Sequence, residues 1–585
     1  MRKSLAAVGV LALTVGALAA CTSNSGGDSG SDYFKHQHGS IGSEAQSKGP
    51  APEVKGAQNG GTLTYLPNTV FDTLDPADTY YVNTMEISQL FARKLTGYRM
   101  IKDKMVLVGD LATNAGVDPN KDDANKRCTT WEYTLKDGVK WQDGSSVKPA
   151  DVAYGISRTF ALTDGPPYFR QWLKGAEKYA GPWKDKGKVA PGITTKGNKI
   201  TFQLNAAHCD FPYMAAMSSS AAVNKAHDID KPVQGGSKET FSNGPYKFTE
   251  AWSKKGVHLE KNSNWDAKTD PIRHQYFDKY TVEFNNSNKQ ITERMKADQG
   301  DDQHAYTDSI DPAQIADIAK DSSLMKRVGN ETQGFVYWLA INNEKVDNVE
   351  IRKALEYAID KEEVVKASGG QHIAVPASGT LSPQLTSYKD LTDLYGGNKG
   401  DKAKAKKLLK KHPEFKSMNV AYRAGSDSVK NGMVDIQNQL KEVGIKVNLD
   451  ELPQETAPST LSSKKGAKKY DAYMKNWGAD WPTGYTVMDP IYNGDLIDDK
   501  NPGNVNNEWF DQKDVNSKLK EYASLPLSEQ DKKYADLDEE IMKDYAPMVP
   551  LYYSKSFAFH GSKVGGVFQN PWDNTSTITD AYCMK

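Results

Sequence analysis

The chain has 585 residues, of which 38% are hydrophobic and 25% charged, and a formal net charge of −1. That length exceeds what one small core organises and predicts roughly two to four domains or lobes, while the near-neutral balance leaves no whole-chain electrostatic footprint for nucleic acid. Beyond the N-terminal run, no apolar stretch exceeds strand length, which argues against a channel.

In chain order, residues 1–20 join a cationic start, Arg2 and Lys3, to an apolar run ending in small residues. This is the pattern of an export signal that is removed. Residues 22–61 are rich in Ser, Gly, Asn, Asp and Lys and carry few large apolar side chains, so a flexible stalk is expected, with His36 and His38 solvated inside it. Order is expected from Gly60, where G-T-L-T-Y-L alternates as a strand. Residues 86–95 space Ile87, Leu90, Phe91 and Leu95 as one helical stripe. Residues 131–136 (WEYTLK), the Asp137-Gly138 turn and residues 139–141 read as a hairpin, Asp143-Gly144 as a second turn, and Pro149 as the start of a helix reaching Phe160.

Further strands are expected at 243–248, 258–261 and 280–284, and the run 334–341 (GFVYWLAI) suits a strand covered on both faces. Asp347 and Glu350 have capping-box spacing ahead of a helix through Ala354, Leu355, Ala358 and Ile359. The lysine run 402–411 reads as a solvated helix face around Ala405, Leu408 and Leu409. The clearest unit is 419–449. A short strand is followed by Val429, Met433, Ile436, Leu440 and Val443 at helical steps; Gly444 stops the helix and IKVNL alternates as a strand. Strand, helix, strand implies a parallel α/β sheet. A helix from Ser528 to Tyr545 ends before Pro547 and a last strand at 549–553.

The cysteines are Cys21, Cys128, Cys209 and Cys583, with no C-x-x-C spacing, so neither zinc nor a redox motif is expected. Cys128 and Cys209 adjoin strand-like runs and are the expected disulfide in an oxidising exterior, leaving Cys583 as the odd thiol. There is no G-x-S-x-G elbow, H-E-x-x-H, Walker loop or strand-linked G-x-G-x-x-G, so no catalytic residues, metal site or cofactor are expected. One segment stands apart: Asn476-Trp477-Gly478-Ala479-Asp480-Trp481-Pro482 sets an acid between two tryptophans in a Gly/Pro-bent loop. A desolvated carboxylate there calls for a cation, supplied by a ligand or by a structural Lys or Arg.

Leu18-Ala19-Ala20-Cys21 resembles the lipobox of bacterial lipoproteins, which implies diacylglyceryl attachment at Cys21, a membrane contact through that lipid alone, and a stalk over residues 21–59. The body resembles the large extracytoplasmic solute-binding proteins of ABC importers, the oligopeptide and dipeptide group. The resemblance rests on an ordered set: Leu74-Asp75-Pro76, Asp110-Leu111-Ala112, residues 133–141 with Asp143-Gly144, Asp151-Val152 and Arg158, Asn243-Gly244-Pro245-Tyr246, Asn262 with Trp265, Asn342 with Val349 and Arg352, and Asp573-Asn574-Thr575.

It implies an α/β, two-lobed periplasmic-binding-protein-like fold of the large type II class, with an extra domain and a ligand cleft between lobes. The implied division is lobe I at 60–97, 241–332 and 553–585, extra domain II at 98–240 and lobe III at 333–552. It also implies a monomer that delivers peptides to a membrane permease, with Asp480 pairing the ligand's α-ammonium group, and Trp477, Gly478, Ala479 and Trp481 around it. Gly478 and the bulky Trp481 depart from the family pattern. An oligosaccharide stacked on tryptophans is the alternative ligand, nickel a weaker one, and a tethered hydrolase a third reading.

Overall fold

The computed structural model describes residues 40–102, 104–162, 164–233, 235–497 and 504–584; the export signal, Cys21, His36 and His38 lie outside the described residues. Two large mixed sheets organise the chain. The first runs, in spatial order, Val328–Gly329, Ala558–His560, Ala305–Thr307, Thr62–Tyr65, Lys279–Val282, Val257–Lys261 and Tyr246–Phe248. The second runs Ala374–Pro376, Met548–Lys555, Thr332–Ile341, Ala472–Gly478, Ser417–Arg423 and Lys446–Leu452.

The chain passes between the sheets twice, from Gly329 to Thr332 and from Lys555 to Ala558. The two passages lie side by side: the Ser556 N–H donates to the Glu331 carbonyl at 2.8 Å, and the Glu331 N–H to Ser556 Oγ at 3.0 Å. Two lobes therefore face each other across paired crossovers. Two three-stranded sheets form a further unit: Thr130–Thr134, Lys199–Gln203 and Ile193–Lys196 make one, and Thr96–Ile101 and Lys104–Gly109 make the other with Ser40–Ile41 on its edge. Its apolar core is continuous with one face of the second large sheet, through Trp172, Trp481 and Tyr485.

The 419–449 expectation holds: Ser417–Arg423 and Lys446–Leu452 pair in parallel around the helix Asp427–Glu442, whose Met433, Ile436 and Leu440 are buried. Thr332–Ile341 is covered on both faces, as its continuous apolar run implies: Val336, Trp338 and Ala340 join one apolar core and Leu339 and Ile341 another. The helix after it is capped one residue later than the Asp347 spacing suggests, by Asn348, whose side chain accepts the Glu350 N–H at 2.8 Å.

Three expectations are corrected. Residues 40–59 are packed rather than stalk. Ser40–Ile41 pairs in parallel with Val106 and Leu107, buried Ser47 accepts the Gly109 N–H at 2.9 Å, and the Ala51 N–H donates to Asp270 at 3.0 Å. Composition reports what a segment can bury by itself; this one docks its backbone on an existing sheet edge, where the body supplies the partners.

The hairpin at 131–141 does not form either. Thr130–Thr134 pairs with Lys199–Gln203, setting Trp131 against Phe202 and Tyr133 against Ile200, while the Val147 N–H donates to Val139 across the Asp143-Gly144 turn. Alternation is satisfied by any strand with a matching apolar face, and the winning partner lies far along the chain. The stripe at 86–95 is helical only within Val82–Ser88; Leu90, Phe91 and Leu95 are buried from turns that carry Arg93 into a buried ion cluster.

Cys128 and Cys209 are joined, with Cα atoms 4.8 Å apart, near the end of the Thr130–Gln203 ladder. The bridge closes a separation of 81 residues. Replacing both cysteines with alanine is expected to lower stability by roughly 2–4 kcal/mol, because the unfolded chain regains that loop's entropy. Urea midpoints of the two proteins, followed by tryptophan fluorescence, check this; equal midpoints would contradict it.

Candidate functional site

The strand Ala472–Gly478 delivers the acidic loop to the end of the second sheet. Its last residues pair with the neighbouring strand, Trp477 opposite Val336 and Gly478 opposite Phe335, and the Ala479 N–H donates to the Gly334 carbonyl at 3.1 Å. Gly334 in turn donates its N–H to Asn574 Oδ1 at 2.7 Å, so the C-terminal segment braces the loop from the other side. Asp480 leaves this frame half-buried. It accepts hydrogen bonds from the Tyr80 hydroxyl, at 3.0 Å, and from the Tyr168 hydroxyl.

Tyr80 precedes the helix Val82–Ser88 of the first lobe and Tyr168 opens the helix Tyr168–Trp172 of the inserted unit. Three parts of the protein therefore meet at one carboxylate. Burial pushes the Asp480 carboxyl up to about 6, against the two hydroxyl donors that favour the ionised form. A small cavity of about 20 Å³ opens beside it, lined also by Met85, Gln89, Lys94, Tyr98 and Asp573. A more open cleft of about 510 Å³ lies between Tyr213 and the helix Leu527–Glu540, with Thr483 of the same loop on its wall.

The other residues expected around Asp480 frame it. The Trp477 indole N–H donates to the Thr486 carbonyl at 2.8 Å. Gly478 has no room for a side chain, because a Cβ there would lie 2.4 Å from the Phe335 ring. That space is filled by the Phe335 ring of the adjacent strand. Trp481 is a correction: it is 0% exposed, donates its indole N–H to Asp210 Oδ2 at 2.8 Å, and packs edge-on against Tyr168 at 4.6 Å between ring centroids. It belongs to the core that joins the inserted unit to the second lobe, because Asp210 offers a buried acceptor that its N–H can satisfy there.

The motif residues that carry the family resemblance prove to be joints. Arg158 donates from both terminal nitrogens to Asp75, each at 2.6 Å, and from Nε to Asp228 at 2.7 Å, all buried. Burial alone would raise the Asp75 carboxyl, but the guanidinium and the Ser237 and Ala77 amides outweigh it and hold it below the usual carboxylate range. Asp110 accepts from Arg93 Nε and Arg273 Nη2, both at 2.8 Å, and Arg273 also reaches Asp270 at 3.2 Å. Tyr80, Tyr168, Lys94 and Tyr98 were not legible as site residues, since no spacing rule links them to Asp480.

Two lobes on paired crossovers, a braced carboxylate at their junction and a cavity beside it define a cleft-type solute receptor. The chain belongs to the bacterial extracellular solute-binding proteins, family 5, whose middle-region model matches residues 107–498; it is a solute-binding protein of the ABC-importer class. Among relatives, the oligopeptide-binding protein OppA of Bacillus subtilis is 26% identical over 455 residues, 74% of this chain and 78% of OppA. The heme-binding protein A of Haemophilus influenzae is 24% identical over 465 residues, 76% of this chain and 79% of that protein. The solved clavulanic acid biosynthesis oligopeptide binding protein 2 superposes with a TM-score of 0.80 at 23% identity, covering 93% of this chain and all of that one.

Proposed function

We propose that this protein is a monomeric, lipid-anchored receptor that captures peptides by their free N-terminus and hands them to an ABC-importer permease. The observation that supports peptide as ligand is Asp480: a half-buried carboxylate, held by two hydroxyl donors, on a cavity with no arginine on its wall among the described residues. An ammonium group completes its hydrogen bonding, and a charge-assisted contact of this kind is about twice as strong as a neutral one. A sugar would need exposed aromatic faces, and Trp481 is fully buried, which favours peptide over oligosaccharide. The names of relatives span oligopeptide and heme, so the ligand class is argued from the site.

Calorimetry with a pool of di- to pentapeptides tests the reading. Free-amine peptides should bind tightly and their N-acetylated forms only weakly; equal binding of the two forms would overturn it. For the anchor, Cys21→Ala is expected to release the protein from the membrane fraction into the medium, since attachment by two or more acyl chains is what holds it there, at about 0.8 kcal/mol per buried methylene. Fractionation followed by immunoblotting checks this, and unchanged membrane association would contradict lipidation at Cys21.

A further inference from the structure

The cavity beside Asp480 has more capacity than an ammonium group uses. Its wall carries two carboxylates, Asp480 and Asp573, and one ammonium, Lys94. Asp573 Oδ1 is already committed, accepting the Thr575 N–H at 3.1 Å and the Thr575 hydroxyl at 2.7 Å. The Lys94 charge acts on Asp573, yet its ammonium forms no hydrogen bond and no ion pair within 4.0 Å among the described residues. With all three groups ionised the wall is one negative charge in excess. A ligand ammonium cancels that excess; a ligand carboxylate arriving with it restores it.

The second observation is Tyr98, on the strand Thr96–Ile101. Its side chain is 9% exposed, it lines this cavity, and its hydroxyl has no hydrogen-bond partner among the described residues. The ring sits edge-on to Trp572 at 5.4 Å and against Tyr213 at 6.5 Å, which fixes where the hydroxyl points. An unsatisfied buried O–H carries a standing desolvation cost, and an acceptor from the ligand removes it. Lys94 and Tyr98 thus offer donors on the wall that also bears Asp480. In any aminoacyl group the carbonyl oxygen lies only about 3 Å from the α-nitrogen, given standard bond lengths. An ammonium seated on Asp480 therefore carries its first carbonyl into the same cavity.

Resting on the peptide reading above, we infer that Tyr98 and Lys94 are specificity residues that donate to the ligand's first peptide carbonyl. The cavity then selects an aminoacyl amide, the start of any peptide, over a free amino acid, whose carboxylate would stand in the carbonyl's place beside two like charges. It is also indifferent to the peptide's C-terminal charge.

The test is calorimetry on the purified full chain with four probes: trialanine, its C-terminal amide, alaninamide and free alanine. Trialanine and its amide should bind within about threefold of each other, and alaninamide at least tenfold tighter than alanine. Tyr98→Phe should weaken trialanine about tenfold without lowering the melting temperature, since the removed hydroxyl has no partner among the described residues. Lys94→Met should weaken it as well. Unchanged trialanine affinity in Tyr98→Phe, or alanine binding as tightly as alaninamide, overturns the inference. A tenfold loss on C-terminal amidation overturns it too, by making a ligand carboxylate the group recognised. If wild-type protein prefers free-amine to acetylated trialanine while Tyr98→Phe is silent, only this inference falls; if wild-type protein binds neither, both it and the peptide reading fall.

Discussion

Replacing Asp480 with asparagine is expected to weaken free-amine peptides by about thirtyfold or more, while leaving the weak binding of N-acetylated peptides unchanged. Truncating one partner of a buried, hydrogen-bonded charge pair costs about 2–5 kcal/mol, and the lower end of that range is already about thirtyfold. Asparagine keeps the shape of the side chain and can still accept from Tyr80 and Tyr168, so the loss isolates the charge. The same carboxylate sets the pH dependence. With its carboxyl near 6 before ligand binds, Asp480 is ionised above that pH and protonated below it.

Affinity should therefore fall as pH drops through about 6, by up to tenfold per unit, and fall again above about 8 as the peptide α-amine loses its proton. The stability linkage has the opposite sign. A carboxyl whose folded value is raised binds its proton at higher pH in the folded state, so this group favours folding more as pH falls from about 6 toward the unfolded value near 4. Calorimetry across pH 4.5–9 on wild type and Asp480→Asn separates the two: the acid limb should vanish in the variant and the alkaline limb should remain. An acid limb that persists in Asp480→Asn would remove Asp480 from its assigned role.

Asp110→Asn is expected to destabilise the protein by about 3–5 kcal/mol, the usual result of breaking a buried ion cluster by removing one member. Arg93, Arg273, Asp110 and Asp270 are fully or almost fully buried and balance two charges against two. Asparagine leaves an uncompensated guanidinium, with the Lys136 ammonium close by on the Asp110 carbonyl at 2.7 Å. Burial by itself would raise the Asp110 carboxyl, but Arg273 and Arg93 outweigh it and depress it far below the usual range. Its stabilising contribution is thus complete above an unfolded value near 4 and is lost as pH falls toward the folded one. Urea midpoints at pH 7 and pH 3 check both parts: the gap between wild type and variant should be wide at pH 7 and narrower at pH 3. An equal gap at both pH values would show that the charge of Asp110 is not what stabilises the cluster.

The family motifs acquire a physical meaning from these contacts. Asp75, Arg158, Asp110 and Asn574 stand in the expected order along the chain because each ties together segments that must meet for the lobes to form. Residues that recognise solute need follow no such rule: Lys94 sits in a stretch whose sequence reads only as an apolar stripe, and Tyr98 lies just beyond it.

Sequence by itself determined the elements whose signals are local. The helix Asp427–Glu442 and its flanking strands follow from apolar spacing and one stopping glycine, and the central strand Thr332–Ile341 from an unbroken apolar run. It also marked Asp480, since an acid between two tryptophans in a bent loop is unusual on its face. Tertiary structure decided everything that depends on pairing at a distance. The hydroxyls on Asp480 come from residues 400 and 312 positions away, the partner of Thr130–Thr134 from across the disulfide loop, and the fate of Trp481 from Asp210 in another unit. Periodicity states which face of an element is apolar; it does not state which other face will cover it. That choice is made by register and packing among all the segments at once, and the cleft, its donors and its excess charge exist only after it is made.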